Sequence, residues 1–373
     1  MFSFRQIVHA APFFLSLTLI PLMWIGGAVG GWTVFLVPLA SWVLYPILDV
    51  AFGLNAANAD TETPDEALVW HRLITWIWGP LQIVTVFAVI AMLVRSEFAV
   101  WEMVVVTFGL GIASGAVGIV YAHELMHQGP VFERRLGDLL MTSVLYGHFR
   151  SEHLLVHHRY VCTPRDSVTA RYNEGFYRFF ARVLGQCFVS AWRAEVAKLA
   201  RAKRPFWDRT NPFWRYGVLQ AAFLGFAGLI GGWLGVALFL GHAFVAIWQL
   251  ELINYIEHYG LSRRHLGDGK YEHVQPRHSW NASHLVSNWF LINLQRHSDH
   301  HFKPDRRYPL LQTYTLDEAP QLPFGYAVMG TLAMVPPLWR RRMNPRVRAW
   351  RRQFYPDIDD WSAYKAGTLP MPR

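Results

Sequence analysis

The sequence predicts an all-α fold: a six-transmembrane-helix polytopic membrane protein with a helical cytoplasmic cap that holds a metal site. Three observations predict it. Of the 373 residues, 53% are hydrophobic, 15% aromatic and only 16% charged, against about 25% charged in soluble globular chains. Six apolar runs each come near the roughly 20 residues a helix needs to cross the bilayer core. Histidine occurs 17 times, and four short strings hold nine of those residues.

The apolar runs cover approximately 10–30, 32–53, 72–94, 99–122, 214–231 and 232–256. Gly30–Trp32, Arg95–Phe98 and Gly231–Trp233 link them in pairs, so the runs read as three helical hairpins. The first run is long enough to span and another span follows closely, which favours a membrane helix over a cleavable leader. Lys and Arg collect in 122–213 and again in the tail after Arg340. The positive-inside rule therefore puts both segments, both termini and the metal site in the cytoplasm of a bacterial-type inner membrane. The loop 54–70 carries Asp60, Glu62, Asp65 and Glu66 and falls on the same side. Acidic residues weigh little in that rule. Two cytoplasmic blocks remain, about 122–213 and 262–373, and neither has a strong core of its own. They are expected to fold as one cap on the bundle, so that 1–373 forms a single unit.

Composition also excludes. Two cysteines, Cys162 and Cys187, leave no disulfide framework, no Cys-based zinc module and no thiolate-bound iron centre in this chain. The net charge of +9 points first to cytoplasmic loops and anionic lipid headgroups. No nucleic-acid recognition module is present, so no nucleic-acid partner is expected.

The four strings are His123-Glu-Leu-Met-His127, Glu152-His153-Leu-Leu-Val-His157-His158, Asn254-Tyr-Ile-Glu-His258-Tyr-Gly-Leu261 and Leu294-Gln-Arg-His297-Ser-Asp-His300-His301. His123 and His127 share a helix face at i, i+4, and His153 and His157 repeat the spacing with His158 beside them. His297, His300 and His301 stand at i, i+3 and i+4. A helix over 100–127 would be about 40 Å long and project past the hydrocarbon. The metal centre is therefore expected at the cytoplasmic membrane face. All-nitrogen donors disfavour Mg and Ca. Nine ligands exceed one tetrahedral zinc and fit two metals with four or five imidazoles each. Iron suits imidazole and oxygen chemistry; zinc, copper and manganese remain open on spacing alone.

Glu124, Glu152, Glu257 and Asp299 neighbour the ligands. Adjacent helical residues point about 100° apart, so each should miss its neighbour's metal. Such a carboxylate can instead accept the N–H of a ligand on another helix and fix its tautomer. His148, His273, His278 and His284 are read as structural hydrogen-bonding residues. His9, His71, His242 and His265 receive no role. Asp49, at the end of the second run, is an ionisable group at membrane depth and hence a functional candidate.

Together HELMH, EHLLVHH, NYIEHYGL and LQRHSDHH resemble the integral-membrane alkane hydroxylase (alkane 1-monooxygenase) family. That family lies within the membrane di-iron superfamily that includes fatty-acid desaturases. YEHVQPRHSWNASHLVSN at 271–288 and TPRDSVTAR at 163–171 extend the likeness, which covers roughly 40–345. Two positions depart from the family pattern: Gln128 replaces a Lys after the first box, and Val156 replaces a Gly before the paired His. Neither removes a ligand. The resemblance implies a non-haem di-iron centre held by His123, His127, His153, His157, His158, His258, His297, His300 and His301. It implies O₂-dependent hydroxylation of the terminal methyl of a medium- or long-chain alkane, with electrons from rubredoxin and its reductase. Asp166 and Arg171 fall in the extended string, as ion pair or ligand support.

An alkane gains about 0.8 kcal/mol per buried CH₂, so an enzyme in membrane lipid can take it from there. An apolar tunnel should then end at the metals, with Trp42, Tyr45 and Trp76 as candidate lining. Two readings compete: hydroxylation of an alkyl-aromatic methyl or lipid desaturation, and, from another class, membrane metal transport. Transport would place ionisable ligands near the bilayer midplane, whereas these strings cluster at helix ends and in cytoplasmic blocks.

Overall fold

The computed structural model describes residues 4–361. Helix dominates, and the one sheet among the described residues is a small hairpin of His265–Gly267 with Lys270–Tyr271. Five helices are long and apolar enough to cross a membrane: Phe4–Val29, Gly31–Phe52, Asp65–Arg95, Val100–His127 and Pro212–His258. The first four match the first four expected spans. The last two expected spans come as one element of 47 residues, so six separate helices are not seen. Its backbone leaves the helical region at Gly231 and Gly232, where Gly232 takes φ 56°. A Cβ on Gly235 would lie 2.3 Å from the carbonyl oxygen of Ala227. In a straight helix those residues stand about 12 Å apart along the axis. The chain therefore folds back on itself at the glycine pair. Positive φ is strained for any side chain, which is why the turn uses glycine.

The outer surface of this bundle is apolar. Leu229, Val50, Trp32 and Trp233 are largely exposed, as expected of side chains that face lipid rather than water. Trp32, Trp101 and Trp233 sit by the short links, at the end of the helices opposite the histidines. Tryptophan favours that interfacial level. Inside, Gly111 and Gly115 of Val100–His127 let the second arm of Pro212–His258 come close. A Cβ at Gly111 would sit 2.4 Å from Val245, and one at Gly115 2.9 Å from the Ala246 carbonyl. Without a hydrophobic drive between helices in lipid, such close backbone packing is what holds them together.

The cap consists of helices of mixed length, among them Val131–Ser143, Phe176–Arg201, Leu285–Phe290, His297–Phe302, Tyr326–Ala333 and Pro336–Phe354. One buried cluster runs from Trp78 and Tyr121 of the bundle through Phe149 and Trp280 to Trp339 of the cap. The cap therefore borrows its core from the bundle. The acidic loop is bound to it: Arg307 donates to both oxygens of Asp65 at 2.6 and 2.8 Å, and Arg296 donates to the Ala57 carbonyl. That pairing seats Asp65 against the cap's Arg307. Asp49 is spent on structure as well. It is buried and accepts from the N–H and hydroxyl of Ser287, capping helix Leu285–Phe290 from outside.

Candidate metal centre

Each histidine string enters the site from a helix end. Val100–His127 delivers His123 and His127, the segment 149–160 delivers His153, His157 and His158, Pro212–His258 ends on His258, and His297–Phe302 supplies the rest. The rings form two groups, each with ligand nitrogens within 4.8 Å of one another. One holds His123, His127, His153, His158 and His300; the other holds His157, His258, His297 and His301.

The partition within each string follows from local geometry. His297 and His301 are one α-turn apart and share a group; His300, about 100° round from His301, joins the other. The second string behaves differently from the i, i+4 expectation. Residues 153–157 form a π turn, in which the His158 N–H bonds the carbonyl of His153. The i, i+5 pair His153 and His158 therefore shares a group, and His157 turns to the second. Single π turns of this kind recur at functional sites.

Nitrogen spacing fits a metal. His153 Nε2 stands 3.0 Å from His127 Nε2 and 2.9 Å from His158 Nε2, and His158 Nε2 stands 3.1 Å from His300 Nε2. In the second group, His297 Nε2 lies 3.1 Å from His258 Nε2 and 3.0 Å from His301 Nε2. Ligands about 2.1 Å from a metal are about 3.0 Å apart at right angles and about 3.4 Å apart in a tetrahedron. The observed separations match the right-angled spacing, and five nitrogens exceed a tetrahedral zinc. His157 gives a second test. Its Nδ1 pairs with Asp166 Oδ2 at 2.9 Å, while its Nε2 is buried without a partner among the described residues. A bare ring nitrogen in the interior is costly unless a cation takes it. Burial, and then the neighbouring imidazoles, hold His153, His158, His297, His300 and His301 well below the usual histidine range. They are neutral, as metal ligands must be.

The four candidate carboxylates have different partners. Glu257 comes nearest: Oε2 lies 3.2 Å from His297 Nε2, and Oε1 accepts from the Tyr326 hydroxyl at 2.8 Å. Both oxygens of Glu152 are buried without a partner among the described residues. Burial, with Asp166 and Glu251 nearby, pushes that acid well above the carboxylate range. Glu124 accepts from Gln128 at 3.0 Å, and Asp299 from Arg306, Tyr314 and the Gln312 N–H. Neither bonds a ligand ring among the described residues; Asp299 fastens its string to the cap, and Glu124 bonds along its own helix. The ring supports are Asp166 on His157 and the His278 carbonyl, which accepts from His258 Nδ1 at 3.2 Å. Burial lifts the Asp166 acid, but His157, Thr169 and the Val168 N–H outweigh it and hold the group below its ordinary value. The His278 ring bonds Tyr355 and Glu272, in the structural role its position suggests. Tyr326 carried no sequence signal, since only the tertiary fold brings it to Glu257.

An apolar cavity opens beside the centre. Trp42 and Tyr45 line it with Ile119, Phe290, Leu294 and Tyr326. Ile119 is one helical turn before His123, and Leu294 three residues before His297. Trp76 lies elsewhere, donating its indole N–H to Glu133 and stacking under Arg72.

Known proteins share these features. A fatty acid desaturase family model matches residues 99–333. The chain is 42% identical to "Alkane 1-monooxygenase 2" of Pseudomonas aeruginosa, with 82% of each chain covered, and 39% identical to "Alkane 1-monooxygenase 2" of Alcanivorax borkumensis, with 83% of each covered. It is also 28% identical to the "Xylene/toluene monooxygenase hydroxylase component XylM" of Pseudomonas putida, over 65% of this chain and 63% of that one. A shared domain across every histidine string, and identity sustained over four fifths of both sequences, lead to one conclusion: the chain belongs to the alkane 1-monooxygenase family, within the broader fatty acid desaturase group.

Proposed function

We propose that the chain is a membrane di-iron monooxygenase that converts alkanes to primary alcohols with O₂ and external electrons. The observation that carries this reading is the five-plus-four imidazole set at right-angled spacing beneath an apolar cavity. The residues that would hold the two irons are the nine histidines. Iron there supplies the O₂ redox chemistry that breaking an unactivated C–H bond needs and no side chain can provide. The rest is done by the chain. Asp166 fixes the tautomer of His157, and the His278 carbonyl that of His258. Glu257, held by Tyr326, offsets positive charge at the four-imidazole group. Trp42, Tyr45 and Phe290 exclude water and align an apolar chain with its end toward the rings. Iron loading and the cytoplasmic orientation, with both termini inside an inner membrane, go together in this reading. Electrons come from a separate carrier, because both cysteines are buried and free and no second redox centre is built from them; the family resemblance makes that carrier rubredoxin with its reductase.

Purified protein is expected to bind about two irons and to give O₂-dependent 1-octanol or 1-hexadecanol, scored by metal analysis and product chromatography. Well under one iron per chain, or an alkene from an acyl lipid in place of alcohol, would overturn the reading. A benzylic alcohol from xylene with no alkanol would move the substrate to alkyl-aromatics, toward the XylM relative.

A further inference from the structure

A second concavity lies on the cap, separate from the cavity lined by Trp42 and Tyr45. It is a groove of about 830 Å³ between residues 155–172 and one face of helix Phe176–Arg201. Arg159, Arg165 and Arg171 line it from the loop side, and Arg182, Arg193 and Arg201 from the helix. Its single lining carboxylate is Asp166, already committed to His157 and Thr169. Arg182 pairs with Glu174; the other five guanidiniums make no ion pair among the described residues. Arg159, Arg165, Arg193 and Arg201 are exposed. From Arg182 to Arg201 the helix runs about 28 Å, longer than a small metabolite and suited to the edge of a protein.

We infer that this groove is the docking surface for a small acidic protein that carries one electron at a time. The inference rests on the monooxygenase reading. That reaction balances as R–H + O₂ + 2 e⁻ + 2 H⁺ → R–OH + H₂O, so two successive one-electron deliveries reach the centre per turnover, each oxidising one reduced carrier. The carrier comes from water while the alkane comes from lipid, so the two need separate mouths. The groove meets the requirement of a short route inward. Asp166 is both a wall of the groove and the hydrogen-bond partner of His157, and Leu155 and Val156 of the groove sit within the same π turn as that ligand. Unpaired guanidiniums around a concavity concentrate positive potential, which steers an acidic partner and raises its on-rate. Of the lining side chains only Val189 is a large apolar group left exposed, against six arginines, which argues for a charged partner rather than the apolar interior of a bilayer.

The test uses iron-loaded full-length protein in nanodiscs, reduced either by an acidic rubredoxin or by reduced methyl viologen, a small cation that arginines do not attract. In Arg193→Glu/Arg201→Glu, the ratio of rubredoxin-driven to viologen-driven turnover is expected to fall at least about tenfold. The change should appear as a raised KM for rubredoxin and a flattened ionic-strength dependence. Arg341→Glu/Arg352→Glu, on the basic helix Pro336–Phe354, should change the ratio less than about twofold. An unchanged rubredoxin KM in the groove variant, or a larger rise in the helix variant, overturns the inference. So does a groove variant that loses only its binding to phosphatidylglycerol vesicles. Failure of the monooxygenase reading looks different: wild-type protein then gives no alcohol even with viologen electrons.

Discussion

Asp166 illustrates how much one side chain decides. Its carboxylate takes the Nδ1–H of His157 and leaves Nε2 facing the other three rings of its group. Losing such a support behind a ligand typically costs 10–100-fold in metal affinity. Asp166→Ala is therefore expected to release metal from the four-imidazole group at about 10–100-fold lower chelator concentration while the five-imidazole group keeps its own. Asp166→Asn, which still offers an acceptor, should fall between. Metal analysis after chelator titration reads both; simultaneous loss from the two groups would count against the assignment. The sequence singled out Asp166 but did not give it a partner. The link from His158 to Asp166 turns through Cys162 at φ 60°, and loop turns leave no periodic trace. The same limit hid the partners of Asp299, which lie on Arg306 and Tyr314, whereas the Glu124–Gln128 pair is an ordinary i, i+4 spacing that the sequence did carry.

Among the elements, the short segment 149–160 teaches most. Its histidines stand at i, i+4 and i+5, whereas those of His297–Phe302 stand at i, i+3 and i+4. Both segments send their first and last rings to one group and the middle ring to the other. They are the same device, with one extra residue absorbed by the π turn at 153–157. An α-helical reading of the spacing pairs His153 with His157, because hydrophobic periodicity does not register a single i→i+5 turn. Deleting Leu155 should convert the turn to α-helix, keep the flanking segments in place and retain both metals. Inserting an alanine after Leu155 should cost most of the bound metal. Metal per chain in purified variants decides between them, and equal loss in both would refute the equivalence. The hairpins, by contrast, were legible from hydropathy alone, including the turn at Gly231 and Gly232.

At the level of the whole molecule, an apolar cavity among the helices and the arginine-lined groove both border the segments that carry the imidazoles. The spans were readable because hydrocarbon demands long apolar runs. The cap was readable as a helical cover from two basic blocks with no strong core of their own, but the placement of its individual helices was not, since they draw on the bundle's core. Trp42 stacks on Trp248 at 5.8 Å and walls the apolar opening. Trp42→Ala should lengthen the space for substrate and shift the alcohols formed from mixed alkanes toward longer chains; an unchanged distribution on chromatography would place the limit elsewhere. The division of the rings has one more outcome. Each group draws on at least three distant stretches of chain, and both include residues of His297–Phe302. During synthesis, then, neither group of rings can close until helix His297–Phe302 has left the ribosome. Loading is a late event in biogenesis, and a nascent chain stalled before residue 297 would sit in the bilayer with two unfinished cages.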